Sequence, residues 1–267
     1  MKANPPEKIT RRVSVILGPG GSSRNLLDAV LPLLGRDKTI EMQGVFLEEA
    51  ELKHAAELPF VKELCRVTFS VREFNSDQFD RVLALRMRTA QRALSVLAKR
   101  AGVAHSFRNV RGSAVNLLLE TANQSDVTVF EPLRTMAAAM SSRPYKARSA
   151  PRIVVAFSDL ESGGGALVVA SHLASGDMSC LTVLLAPAAT DVKELEQLVA
   201  LLPARPGRVR TLSRFNVGSL IESVQSEGAS MLVLGATAEF MDPEILRILR
   251  QRLRCPVCLV RYWGGSG

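Results

Sequence analysis

The sequence predicts an α/β protein in which mainly parallel sheets are covered by helices, arranged as two tandem modules. Three observations carry this. β-branched apolar runs alternate with helical patterns along the whole chain, as in parallel sheets flanked by helices. A strand-like run, a small-residue loop and an apolar helix begin at Val13 (VSVILGPGGSSRNLLDAV) and again at Ile153 (IVVAFSDLESGGGALVVA), 140 positions later. A second pair of signals, RGSAVNLLLETANQSDVTVFEP from Arg111 and VGSLIESVQSEGASMLVLGA from Val217, recurs in the same order at an offset of 106. Two signals repeated in order indicate a duplicated unit.

In the first half, strands are expected near 13–17, 40–46, 66–71 or 104–110, and 126–130, with helices over 23–34, 77–101 and 113–123. The long helix rests on Phe79, Val82, Leu83, Met87, Ala90, Leu94 and Leu97, whose three- and four-residue spacing places them on one face. Asp77 suits its N-cap and Gly102 its C-terminal stop. In the second half, strands are expected near 152–157, 179–186, 207–212, 230–234 and 256–261. Helices are expected over 163–174, 190–202, 217–227 and 243–253. The stretch LRTMAAAMSSRPYKARSA is too short for a helix plus a final strand, so the first module is expected to lack its last strand. The resulting division is 12–134 for the first module, 135–150 for a linker, 151–261 for the second module and 262–267 for a flexible tail.

Composition narrows the function classes. The chain has 267 residues, 47% hydrophobic and 22% charged, as in a globular protein with room for two cores. No apolar run approaches the ~20 residues that cross a bilayer, and no signal peptide is evident, so a cytoplasmic location is expected. Four cysteines in a chain of this length suggest reduced thiols. A formal charge of +8 suits anionic partners. Aromatic content of 5% makes nucleic acid unlikely as a partner, because single-strand binding needs exposed stacking platforms.

GSAVNLLLETANQSDVTVF, GSLIESVQSEGASMLVLGA and RCPVCLVR at 254–261 together resemble the tandem universal stress proteins, whose flavodoxin-like fold belongs to the wider adenine-nucleotide α-hydrolase-like group. The resemblance spans residues 12–134 and 151–261 and implies two modules of that type. Nucleotide-binding members carry G-x2-G-x9-G-(S/T) after the central strand, where bare backbone N–H groups cradle phosphate. Here Gly235 supplies the first glycine, but Ala238, Ile248 and Leu249 stand at the next positions. The first module has Glu131, Arg134, Pro144 and Tyr145 there, and Glu131 opposes phosphate by charge. The nucleotide loops are degenerate.

Two loops can still be read as anion sites or as tight strand-to-helix turns. GPGGSSRN places Gly20, Gly21 and Ser22 before a helix start, where free N–H groups favour an anion. SDLESGGGAL contributes Gly163, Gly164 and Gly165, and places Asp159 near the acidic residue that universal stress proteins use against adenine or ribose. Two cationic stripes are solvated helix faces or docking surfaces. Arg81, Arg88, Arg92 and Lys99 fall within roughly 40° of arc on the long helix, and Arg247, Arg250 and Arg254 form a shorter stripe near 243–253. Cys255 and Cys258 make a C-x-x-C by letters, but they enter an apolar strand and not a helix N-terminus, so they read as core. His54, His105 and His172 stand in unrelated contexts, and no Walker A loop, G-x-S-x-G elbow or HExxH is present.

Two functions from different classes follow. One is a non-enzymatic regulatory or adaptor protein contacting an acidic protein surface through the basic helix faces, requiring no cofactor. The other is a sensor binding ATP or AMP in the second module at Asp159, Gly163–Gly165 and Gly235. The sheet edges offer a route to a homodimer.

Overall fold

The computed structural model describes residues 11–19, 23–35, 39–58, 60–64, 68–133, 151–158, 160–187 and 202–263. Its first half contributes β1 (Arg11–Leu17), α1 (Ser23–Leu34), β2 (Ile40–Glu49), α2 (Ala50–Ala56), β3 (Lys62–Leu64), β4 (Val71–Glu73), α3 (Ser76–Ala101), β5 (Ala104–Gly112), α4 (Ala114–Gln124) and β6 (Val127–Phe130). Its second half contributes β7 (Ile153–Phe157), α5 (Leu160–Leu173), β8 (Leu181–Leu185), β9 (Arg208–Thr211), α6 (Val217–Ser226), β10 (Met231–Gly235), α7 (Pro243–Arg252) and β11 (Val257–Val260). The expected linker at 135–150, the last four residues of the expected tail at 262–267 and most of the helix at 190–202 lie outside the described residues, whereas Trp263, placed in that flexible tail by the sequence, is buried.

Nine strands form one sheet in the order β5-β2-β1-β6-β11-β10-β7-β8-β9. Neighbours are parallel within β5-β2-β1-β6 and within β11-β10-β7-β8-β9, and the two sets meet antiparallel at β6 and β11. Counted within each half, the strands run third, second, first, fourth, which is one doubly wound order and not the second, first, third, fourth order of flavodoxin, so the flavodoxin-like expectation is corrected to the sister topology. The edge of β6 that a fifth strand of the first half would occupy is taken by β11, in the register Phe130 opposite Val257 and Val127 opposite Val260. Backbone bonds extend the seam on both sides, from Arg261 N to Asp126 O (2.8 Å) and from Leu133 N to Arg250 O (2.6 Å). Because the two sets are antiparallel, their carboxyl ends point to opposite ends of the sheet.

The repeat seen in the sequence has a counterpart in strand register. Val13 lies opposite Val127, and Ile153 lies opposite Met231. The first members differ by 140 positions, as the sequence signals do, whereas the second differ by 104, not 106. The matched Gly-Ser letters sit differently: Ser113 stands at the N-cap position of α4 without a side-chain bond, whereas Gly218 and Ser219 are already inside α6 behind the cap Asn216.

Both sheet faces are apolar and both are covered. Val13, Val15, Leu17 and Met42 look toward α1, α3 and α5, while Ile16, Val45, Leu234 and Leu259 look toward α4, α6 and α7. In α3, Leu83, Ala90, Leu94 and Leu97 are buried as their spacing demands, each large one contributing ~1.5–3 kcal/mol. Val82 departs from that expectation and is 42% exposed, because the helix turns it to the rim and not to the sheet. The cap differs too: Asn75, not Asp77, accepts from Gln78 N at 2.9 Å. Gly102 ends the helix in the left-handed region (φ 70°), where a side chain would be strained. Of the alternative third strands, 104–112 joins the sheet, and β3 and β4 form a separate antiparallel pair.

Candidate functional site

In the second half, the residues expected to line a nucleotide crevice are engaged in packing. Gly163, Gly164 and Gly165 lie within α5, where a Cβ on Gly163 would come within 2.6 Å of the Phe157 ring. One on Gly165 would touch the Trp263 main chain at 3.4 Å. Trp263 is buried, with the Arg11 guanidinium 5.0 Å from its ring centre and His172 edge-on at 6.2 Å. Gly235 is the last residue of β10 and is buried. After it the chain folds into a tight turn: Thr237 N bonds Gly235 O at 2.9 Å, Met241 N bonds Thr237 O at 2.9 Å, and Asp242 caps α7. Phe240, inside that turn, is 3% exposed and stands edge-on to Phe215 at 6.0 Å. Aromatic carbon therefore occupies the ground beside β10. Asp159, Gly20, Gly21 and Ser22 lie outside the described residues.

The second cationic stripe separates into three unlike positions. The helix stops at Arg252, because Leu253 is extended (ψ 158°), so Arg254 follows it as an exposed loop residue. Arg250 is turned inward and is paired with Glu49 at the end of β2, with the two side chains 13% and 21% exposed. Arg247 is exposed and pairs within its own helix with Glu244 at 2.9 Å. A common docking face through these three is not formed.

The stripe on α3 is open. Arg81, Arg88, Arg92 and Lys99 are exposed, and none forms an ion pair with a described residue. Between α1 and α3 runs a groove of about 800 Å³. Its apolar part includes Leu27, Ala93 and Leu97 with Leu85 and Val96, the last two 64% and 68% exposed. Four guanidinium groups line it, from Arg24, Arg86, Arg92 and Arg100, against the single carboxylate of Asp28. Asp28 is met at 3.9 Å by Arg24 in an exposed contact that contributes little. Arg86 donates to the Pro19 carbonyl, tying α3 to the loop that leads into α1. From Arg81 to Ala101 the chain holds Arg81, Arg86, Arg88, Arg92, Lys99 and Arg100 and no acidic residue.

Arg24, Arg86, Arg100, Leu85 and Val96 were not singled out by the stripe reasoning. The legible signal was the acid-free run, together with two outward apolar residues on a helix whose core face was already complete. Elsewhere, burial pushes the Cys255 thiol up to about 12 and raises Cys258 further, so neither is a thiolate near neutral pH. Both are free and buried, Cys258 within β11 and Cys255 in the bend two residues before it. His54 and His105 are exposed and separate, and no group of three or more metal-ligating side chains occurs among the described residues. No helix of the described residues is long and apolar enough to cross a membrane. Comparison with known proteins finds no family model and no curated protein that matches this chain.

Proposed function

We propose that this chain is a non-enzymatic regulatory or adaptor protein of universal-stress type, with degenerate nucleotide loops, acting through protein–protein contacts. The observation that carries the reading is the open, arginine-lined groove between α1 and α3 with Leu85 and Val96 left uncovered. An exposed apolar surface rimmed by charge is what a docking face requires. Its opposite is the second half, where Gly163 and Gly165 pack against Phe157 and Trp263, and Phe240 is buried against Phe215, which supports the reading of degenerate loops. At the carboxyl end of β2, Glu48 is held by Asn109 at 2.6 Å and Arg111 at 3.2 Å, which puts carboxylates and not bare N–H groups at that strand end.

Thermal unfolding with and without millimolar ATP, AMP and ADP tests the reading against nucleotide sensing. A ligand at ~100 times its Kd adds ~2.7 kcal/mol, several degrees for domains of this size. The expected result is no shift with any of the three. A clear shift moves the function to nucleotide sensing and ends the adaptor reading.

A further inference from the structure

We propose that the groove between α1 and α3 receives a single acidic amphipathic helix from a partner protein, an inference that rests on the adaptor reading above. Charge complementarity selects the sign. Arg92 and Arg100 face the groove from a helix that has no carboxylate after Asp80, beside Arg86 on the Pro19 carbonyl, and Asp28 is the one carboxylate opposite, so the groove carries a net positive charge that an anionic ligand answers. Geometry selects the shape. Arg86 and Arg100 lie fourteen residue steps apart on α3, or ~21 Å at the helical rise, the length of about four turns of a ligand helix. Leu85 and Val96 are eleven residues apart, within ~20° on the same side of α3. A partner with apolar residues at i, i+4, i+7 and i+11 meets both along one edge, with its acidic flanks against the arginines.

Other anionic occupants fit less well. A phosphate backbone offers no apolar surface to cover Leu85 and Val96, and a bilayer is flat where this surface is concave. The chain's own segment at 134–150 carries Arg134, Arg143, Lys146 and Arg148 with no acidic residue, so its charge is wrong.

The test uses the full chain and a fluorescein-labelled sixteen-residue synthetic helix (about four turns) carrying leucine at the four stated positions and glutamate flanking them, read by anisotropy. Saturable binding is expected, weakened about tenfold by Leu85→Ser with Val96→Ser and similarly by Arg92→Glu. Both sites are exposed, so the fold is retained, which the circular dichroism spectrum checks. A peptide with lysine in place of glutamate, and one with serine in place of leucine, should each bind at least about tenfold more weakly. Equal binding by the serine peptide reduces the groove to a charged surface and overturns the proposal. So does displacement of the acidic helix by single-stranded RNA or by phosphatidylserine vesicles more readily than by unlabelled peptide, and so does the absence of peptide binding. In those cases an unshifted melting curve with nucleotides leaves the adaptor reading standing with another surface, whereas a nucleotide shift removes both.

Discussion

The first helices of the two halves meet different surroundings. Along α5, Gly163 and Gly165 admit the Phe157 ring and the Trp263 backbone, and those aromatic residues are buried. Around α1, the amino-terminal turn carries Ser23 and Arg24 and borders an open groove whose other wall is α3. The chain thus fills one side with its own carbon and leaves the other lined with arginine. Side chains removed from a helix start allow close packing, and charged ones keep solvent at it. The two halves present unlike surfaces, and among the described residues the α1–α3 side has an open groove.

The comparison can be broken or sharpened experimentally. Trp263→Ala should have the largest effect, a loss of ~3–5 kcal/mol in urea unfolding, because the buried ring closes the α5 side. A loss below ~1 kcal/mol would mean that the second half is not sealed as described. Gly163→Val should cost ~1–3 kcal/mol, since the added carbons overpack the buried Phe157 ring; the same measurement on the exposed groove residue Val96 changed to Ser should move stability by only ~0.5 kcal/mol. Arg250→Ala should cost ~1.5–3 kcal/mol by leaving Glu49 half-buried without its partner, while Arg247→Ala on the same helix stays within ~0.5 kcal/mol.

Alkaline pH acts beside the seam strand, at the bend that leads into β11. The Cys255 thiol is raised from 9.0 to about 12 by burial, so the folded chain holds its proton more tightly than the unfolded one. Its contribution is fully present below pH 9.0 and is lost as pH rises toward 12, with a slope of at most ~1.4 kcal/mol per pH unit for that thiol. Denaturant midpoints at pH 8 and pH 10 measure this, and Cys255→Ala should lessen the difference by that thiol's share, leaving the part due to buried Cys258. At pH 8, alkylation of Cys255 and Cys258 in the native protein should be slow compared with that of the unfolded chain.

Much of the fold was legible because periodicity and burial act locally. The apolar spacing along 76–101 and the β-branched runs at 11–17 and 153–157 state which faces are buried before any partner is known. Capping was less legible: Asn75 and Asp77 both suit an N-cap, and the choice depends on where the chain leaves the β4 strand. The candidate site was half legible. Charge on α3 is written in its letters, but a groove is a relation between two helices remote in sequence, and Leu85 joins Arg24 only when α1 and α3 pack side by side.

The sequence by itself determined the α/β class, the places of α1, α3, α4, α6 and α7, and the inert character of Cys255 and Cys258. Hydrophobic period and turn chemistry are properties of a few neighbouring residues, so the letters suffice for these. Tertiary structure decided what joins the halves and what each helix start faces: β11 pairing antiparallel with β6, Arg250 turned onto Glu49, and the aromatic side chains of Phe240 and Trp263 brought into the second half. Each of these depends on residues tens to hundreds of positions apart, and their free energy exists only once the sheet has assembled.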